Sequence, residues 1–153
     1  MKLTKQKRIL CIDLGDKRIG TAISDEFGLT AQPHEVFERK NVSFDFSIIL
    51  DIIDSFQIGE IIVGLPFNMN GSIGPQAQKV LVFIDKLKHK VQVPINHWDE
   101  RLSSCAAEKT LIEANVKRKK RKKIIDKMAA QYILQGYLDY KYIPLEANMD
   151  GDN

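Results

Sequence analysis

Acidic residues stand at three places where a carboxylate has chemistry to do. Asp13 interrupts the most apolar run of the chain, Arg8 to Leu14, and an ionised side chain there is costly unless it is paired or binds a cation. Asp99 and Glu100 follow the last apolar run, and Asp126 lies early in the final helical pattern. Each has a purely structural explanation. Asp13 can cap a turn before Gly15, Asp99 and Glu100 can favour a helix start, and Asp126 can offset the basic residues before it. Together they suit a cage of carboxylate oxygens around a hard cation, Mg²⁺ or Mn²⁺. Two such ions roughly 3.5–4 Å apart cleave phosphodiester bonds: one activates a bound water and the other stabilises the leaving oxygen. Strand alternation would turn Asp99 and Glu100 to opposite faces, so at most one shares a site with Asp13. The spacing leaves that choice open.

Other segments fit a polyanion. Lys117, Arg118, Lys119, Lys120, Arg121, Lys122 and Lys123 are consecutive, and the formal net charge of +3 becomes −4 without these seven. The chain is therefore mildly acidic with one strongly positive spot, either a solvated loop or a contact for nucleic acid. Lys17, Arg18 and Arg101 flank the acids and can hold phosphate or pair with them. Between Gly64 and Pro75 a strand's end joins a helix through Asn68, Asn70, Gly71 and Ser72. Pro75 suits the first helical position, which leaves backbone N–H groups facing this loop as donors to phosphate. No Gly-Lys-Ser/Thr follows, so it is not a Walker loop. His34, His89 and His97 show no ligand spacing, and Trp98 reads as core.

These residues need a scaffold, and the chain of 153 residues is long enough for one domain. Hydrophobic residues make up 44% and charged residues 28%, a globular balance. No apolar stretch approaches a membrane span or a signal peptide's core. Cys11 and Cys105 form no paired motif, which argues against a disulfide scaffold or zinc ribbon and suits the reducing cytoplasm. Residues 1–7 read as a polar lead-in, 8–143 as the domain and 144–153 as an acidic tail.

Periodicity predicts strands over residues 8–14 and 18–24, then a third made of 29–31 and 35–37, interrupted near Pro33. A helix carrying Ile48, Ile49, Ile52, Ile53 and Phe56 follows, capped at Asn41 or Ser43. Next come a strand over 58–65, a helix carrying Ala77 to Leu87, a strand over 91–97, and helices near 103–115 and 124–140. Three strands in a meander followed by alternating helices and strands imply an α/β fold, a mixed sheet with helices on both faces. This order matches the ribonuclease H-like fold.

Four segments in the same order resemble the YqgF/RuvX family: Ile12 to Ala22 (IDLGDKRIGTA), Val63 to Gly71 (VGLPFNMNG), Asp99 to Ser103 (DERLS), and Ile125 to Ala130 with Ile133, Leu134 and Tyr137 to Asp139. The resemblance runs from about Ile9 to Tyr142. Leu14 stands where the family often has an aromatic residue, and the basic run is unusually dense. The resemblance implies a cytoplasmic nuclease of ribonuclease H-like fold with Asp13, Glu100 and Asp126 as the active-site acids. Family members are described as Holliday junction resolvases and as nucleases maturing the 5′ end of pre-16S ribosomal RNA. Precursor rRNA is the expected partner, with ribosomal association and a monomer or weak homodimer. Branched DNA is the alternative substrate, and a non-catalytic RNA-binding assembly factor is the alternative of another class.

Overall fold

Strand alternation explains how one short run builds two cores. In the computed structural model, which describes residues 4–101, 117, 120 and 128–141, β1 spans Arg8–Leu14 and is almost wholly buried. Its Leu10, Ile12 and Leu14 face one way, into a cluster with Phe46, Ile49 and Ile52 of α1 (Val42–Phe56) and Ala77, Val80 and Ile84 of α2 (Pro75–Lys88). Ile9 and Cys11 face the other way, against Ala130, Ile133, Leu134 and Leu138 of the helix over 128–141. Each fully buried leucine or isoleucine contributes about 1.5–3 kcal/mol of transfer free energy. A helix-covered sheet on both faces is the outcome.

The remaining strands are β2 (Arg18–Ser24), β3 (Ala31–Glu38), β4 (Ile58–Leu65) and β5 (Ile95–Asp99). They form one sheet in the order β3-β2-β1-β4-β5. β1 pairs antiparallel with β2, and β2 with β3, while β1, β4 and β5 run parallel. This is the expected ribonuclease H-like arrangement. It matters for chemistry because the parallel strands all end at one edge, where open α/β sheets bind ligands.

Two expected elements are corrected. β3 is continuous through Pro33, because it is the outermost strand beyond β2 and absorbs the proline with a register shift opposite Gly20 and Ala22. The last strand begins at Ile95 rather than Val91 and extends to Asp99. Residues 90 and 91 instead close the end of α2, each donating its backbone N–H to the Leu87 carbonyl. The helix caps follow the sequence: Asn41 accepts from Phe44 N–H, and Pro75 opens α2 after Gly74. The helix expected near 103–115 and the tail at 144–153 lie outside the described residues. No described helix is long and apolar enough to cross a membrane.

An ion pair between a half-buried arginine and a buried carboxylate ties the first helix to the first turn. Asp45, 1% exposed, accepts from Arg39 Nε at 3.1 Å and from Lys40 N–H. Arg39 then grips the turn after β1 twice, donating from Nη1 to Gly15 O at 2.9 Å and from its backbone N–H to Lys17 O at 2.8 Å. Removing one member of a buried pair strands the other's charge, so Arg39→Met is expected to cost about 3 kcal/mol. Urea unfolding at neutral pH measures this; a loss below about 1 kcal/mol would place the pair among solvent-screened surface pairs.

Candidate active site

The face of the sheet that carries Ile9 and Cys11 also carries Asp13, by the same alternation. Asp13 sits opposite Gly20 of β2, and Gly20 in turn opposite Val36 of β3. Because Gly20 has no side chain, a groove of about 210 Å³ remains here, lined by Asp13, Gly15, Lys17, Arg18, Gly20 and Val36. Asp13 is half-buried, whereas Lys17 and Arg18 are exposed. Gly15 closes the turn with an N–H bond to Arg18 O, and a Cβ at Gly15 would lie 2.8 Å from that oxygen. The glycine is required by this close approach.

The extension of β5 to Asp99 decides between the two neighbouring acids. Gly64 pairs with Trp98, and Leu65 with Asp99. Trp98 packs with the cluster beneath the helix over 128–141, and its ring meets Tyr137 edge-on at 5.5 Å. Glu100, two residues on, takes that same face. Its carboxylate lies over Gly64, where a Cβ would stand 2.7 Å from Glu100 Oε2 and 2.8 Å from Ile133 Cδ1. Asp99 points away from this face and is held by Arg101, accepting from Nε at 2.9 and 3.0 Å and from Nη2 at 2.6 Å. That fork holds Asp99 below the usual carboxylate range.

Glu100 behaves in the opposite way. Burial, then the charge of Asp13, then that of Asp99 push its pKa up to about 7. Asp13 and Glu100 also raise the buried Cys11 thiol, after burial itself, so both carboxylates crowd the same end of β1. A half-buried acid whose ionisation is opposed by burial and by a neighbouring carboxylate is what a bound cation relieves. Oxygen donors on one face suit a hard divalent ion. Asp126 lies outside the described residues, and no group of three or more metal-ligating side chains occurs among those described.

The expected phosphate contacts divide. Lys17 and Arg18 share the groove with Asp13. Arg101 is committed to Asp99 and lies over the Phe67 ring, 5.5 Å from its centre. Asn68, Asn70 and Ser72 bond one another: Asn68 Nδ2 to Ser72 Oγ at 3.0 Å, and Ser72 N–H and Oγ to Asn70 Oδ1 at 3.0 and 2.6 Å. They build the loop. Gly71 sits at φ +84°, a conformation the turn requires. Lys117 and Lys120 are exposed; Arg118, Lys119, Arg121, Lys122 and Lys123 lie outside the described residues. Arg39 and Asp45 went unrecognised in the sequence because their pairing bridges a strand's end and a helix start, which no local pattern marks.

Comparison with known proteins places this site in context. The family model described as "RuvX: Holliday junction resolvase" matches residues 7–140. A protein of Desulforamulus reducens named "putative pre-16S rRNA nuclease" is 55% identical over 132 residues, covering 86% of this chain and 96% of its own. A protein of the same name from Halothermothrix orenii is 54% identical over 134 residues, covering 88% and 96%. Among solved structures, Thermus thermophilus RuvC in complex with a Holliday junction substrate aligns with a TM-score of 0.47 at 17% identity, over 67% of this chain and 69% of that one.

Proposed function

Since the chain belongs to the RuvX family, we propose that it is a metal-dependent endonuclease that processes the 5′ end of pre-16S rRNA in the cytoplasm. The observation that carries the reading is the convergence of Asp13 and Glu100 on one face at the ends of parallel strands, with mutual charge raising Glu100. The names of its relatives favour ribosomal RNA as substrate.

Asp13 and Glu100 would hold Mg²⁺ or Mn²⁺, with Asp126 as a third ligand. When bound, a pair of such ions supplies an activated water and a stabilised leaving oxygen. Lys17 and Arg18, on the rim of the groove beside Asp13, hold the phosphates flanking the scissile bond. Asp99 and Arg101 hold each other on the face turned away from Glu100, so their role is to position the strand end that carries it. The Lys117 to Lys123 run strengthens encounter with the polyanion and makes binding salt-dependent. Glu100 must lose its proton to ligate, so metal affinity rises with pH through about 7.

Purified protein incubated with a pre-16S 5′-leader RNA and a four-way DNA junction, in Mg²⁺, Mn²⁺ or EDTA, tests the substrate. Metal-dependent cutting of the RNA at defined positions is expected. Symmetric cutting of the junction alone would make the protein a resolvase, the reading its family's description supports. Salt-sensitive RNA binding with no cutting would make it an assembly factor.

A further inference from the structure

The groove beside Asp13 draws its two kinds of charge from one turn. Asp13 stands near the end of β1, and Lys17 and Arg18 close the turn into β2. The carboxylate is placed by the sheet, because Asp13 pairs with Gly20 inside the β1–β2 ladder. Lys17 and Arg18 are long and exposed, so where their charges stand depends on the backbone beneath them. Gly15 gives that backbone a wide choice of conformations.

Arg39 narrows the choice. Its Nη1 donates to Gly15 O and its backbone N–H to Lys17 O, one carbonyl on each side of Asp16. The anchor behind it is firm: Nε donates to Asp45, a buried acid in the first turn of α1, and the guanidinium lies 6.0 Å from the centre of the Phe83 ring. Asp45 takes up the arginine's charge, so what Arg39 contributes at the groove is position rather than field. The other side-chain tie to the turn, Lys79 Nζ to Asp16 Oδ1 at 3.4 Å, is exposed at both ends and screened by solvent. One planar fork reaches the carboxylate and the carbonyl together. A lysine ammonium is a point charge that keeps one partner and releases the other.

We propose that Arg39 is a positioning residue for RNA binding: by holding the Gly15 carbonyl to the start of α1, it sets where Lys17 and Arg18 meet the phosphates beside Asp13. The proposal rests on the nuclease reading for what the groove holds, but it concerns binding, which is measurable without cleavage. Loss of the fork lets the turn sample other conformations, and the two cations then lose in ordering what their phosphate contacts gain.

The test is a double-mutant cycle on the full chain, read as affinity for a pre-16S 5′-leader RNA in EDTA. Arg39→Lys keeps the charge facing Asp45 and every backbone bond of the turn. It is expected to weaken binding about tenfold in the parent and to change nothing further in a Lys17→Ala/Arg18→Ala background. The rise in melting temperature on adding Mg²⁺ is expected to match the parent's, since the ladder still holds Asp13. Should Arg39→Lys lose its cooperative urea transition, Asp45→Asn, which loosens the anchor, is expected to show the same non-additivity. Unchanged affinity in Arg39→Lys, an equal loss in both backgrounds, or no loss in Lys17→Ala/Arg18→Ala overturns the positioning role. So does a Mg²⁺ response present in the parent and lost in Arg39→Lys. Absence of metal-dependent cutting by the parent protein, with the non-additive binding intact, overturns the nuclease reading and leaves the positioning role standing.

Discussion

Glu100→Gln is expected to slow metal-dependent cleavage by roughly 10³-fold and, in the metal-free protein, to increase stability above pH 7. The two effects share one cause. Burial and the Asp13 charge raise the Glu100 pKa from 4.5 to about 7, so the folded protein holds a proton that the unfolded chain has released. Below pH 4.5 both states are protonated and the group is neutral toward folding. As pH rises from 4.5 to 7 the unfolded state gains, and above 7 the folded state carries a constant penalty of about 3 kcal/mol. Glutamine keeps the shape and removes the charge. Urea unfolding in EDTA at pH 5 and pH 8 should show the variant ahead at pH 8, with most of the difference gone at pH 5. Added Mg²⁺ should raise the melting temperature of the parent and leave Glu100→Gln unmoved, because ligation neutralises the same repulsion. Asp99→Asn should keep the Mg²⁺ response, since Asp99 faces away and engages Arg101. An Mg²⁺ response lost in Asp99→Asn and kept in Glu100→Gln would exchange the two roles.

A methyl group placed at Gly64 is expected to cost more in catalysis than in folding. The new Cβ would meet Glu100 Oε2 at 2.7 Å and Ile133 Cδ1 at 2.8 Å. Ile133 is fully buried against the sheet and has little room to retreat, whereas the Glu100 carboxylate can swing outward. Overpacking of this kind costs about 1–3 kcal/mol of stability, partly offset because alanine suits a strand better than glycine. A carboxylate moved by about 1 Å loses roughly 10²-fold in rate. Gly64→Ala should therefore fold cooperatively with a modestly lower urea midpoint and a rate about 10²-fold down. An equal loss in Gly64→Ala and in a remote overpacking variant of the Leu87 region would show that the effect is general loosening.

Much of this architecture was legible because the relevant signals are local. The apolar runs of β1 and β4 and the periodic faces of α1 and α2 fixed those elements within a residue or two, as did Asn41 and Pro75 at the helix starts. Pro33 misled because a proline's effect depends on whether its strand has a neighbour on that side, and edge position is a property of the sheet. The choice between Asp99 and Glu100 stayed open for a related reason. Alternation gives opposite faces, but which face meets Asp13 depends on the register of β5 against β4 and on its extension to Asp99. The asparagines of the loop look like ligand donors in a sequence, yet their bonds run to one another.

In the proposed nuclease Asp13 carries the metal-dependent chemistry, and removing its charge separates that role from RNA binding. Cleavage of a pre-16S 5′-leader RNA is measured in Mg²⁺ for the parent protein and for Asp13→Asn purified identically, with RNA affinity measured in EDTA for both. Asparagine preserves the shape at the end of β1 and removes the charge facing Glu100. The predicted result is a loss of roughly 10³-fold in rate with RNA affinity unchanged. An Asp13→Asn protein that cuts as fast as the parent, free of contaminating nuclease, would contradict the claim.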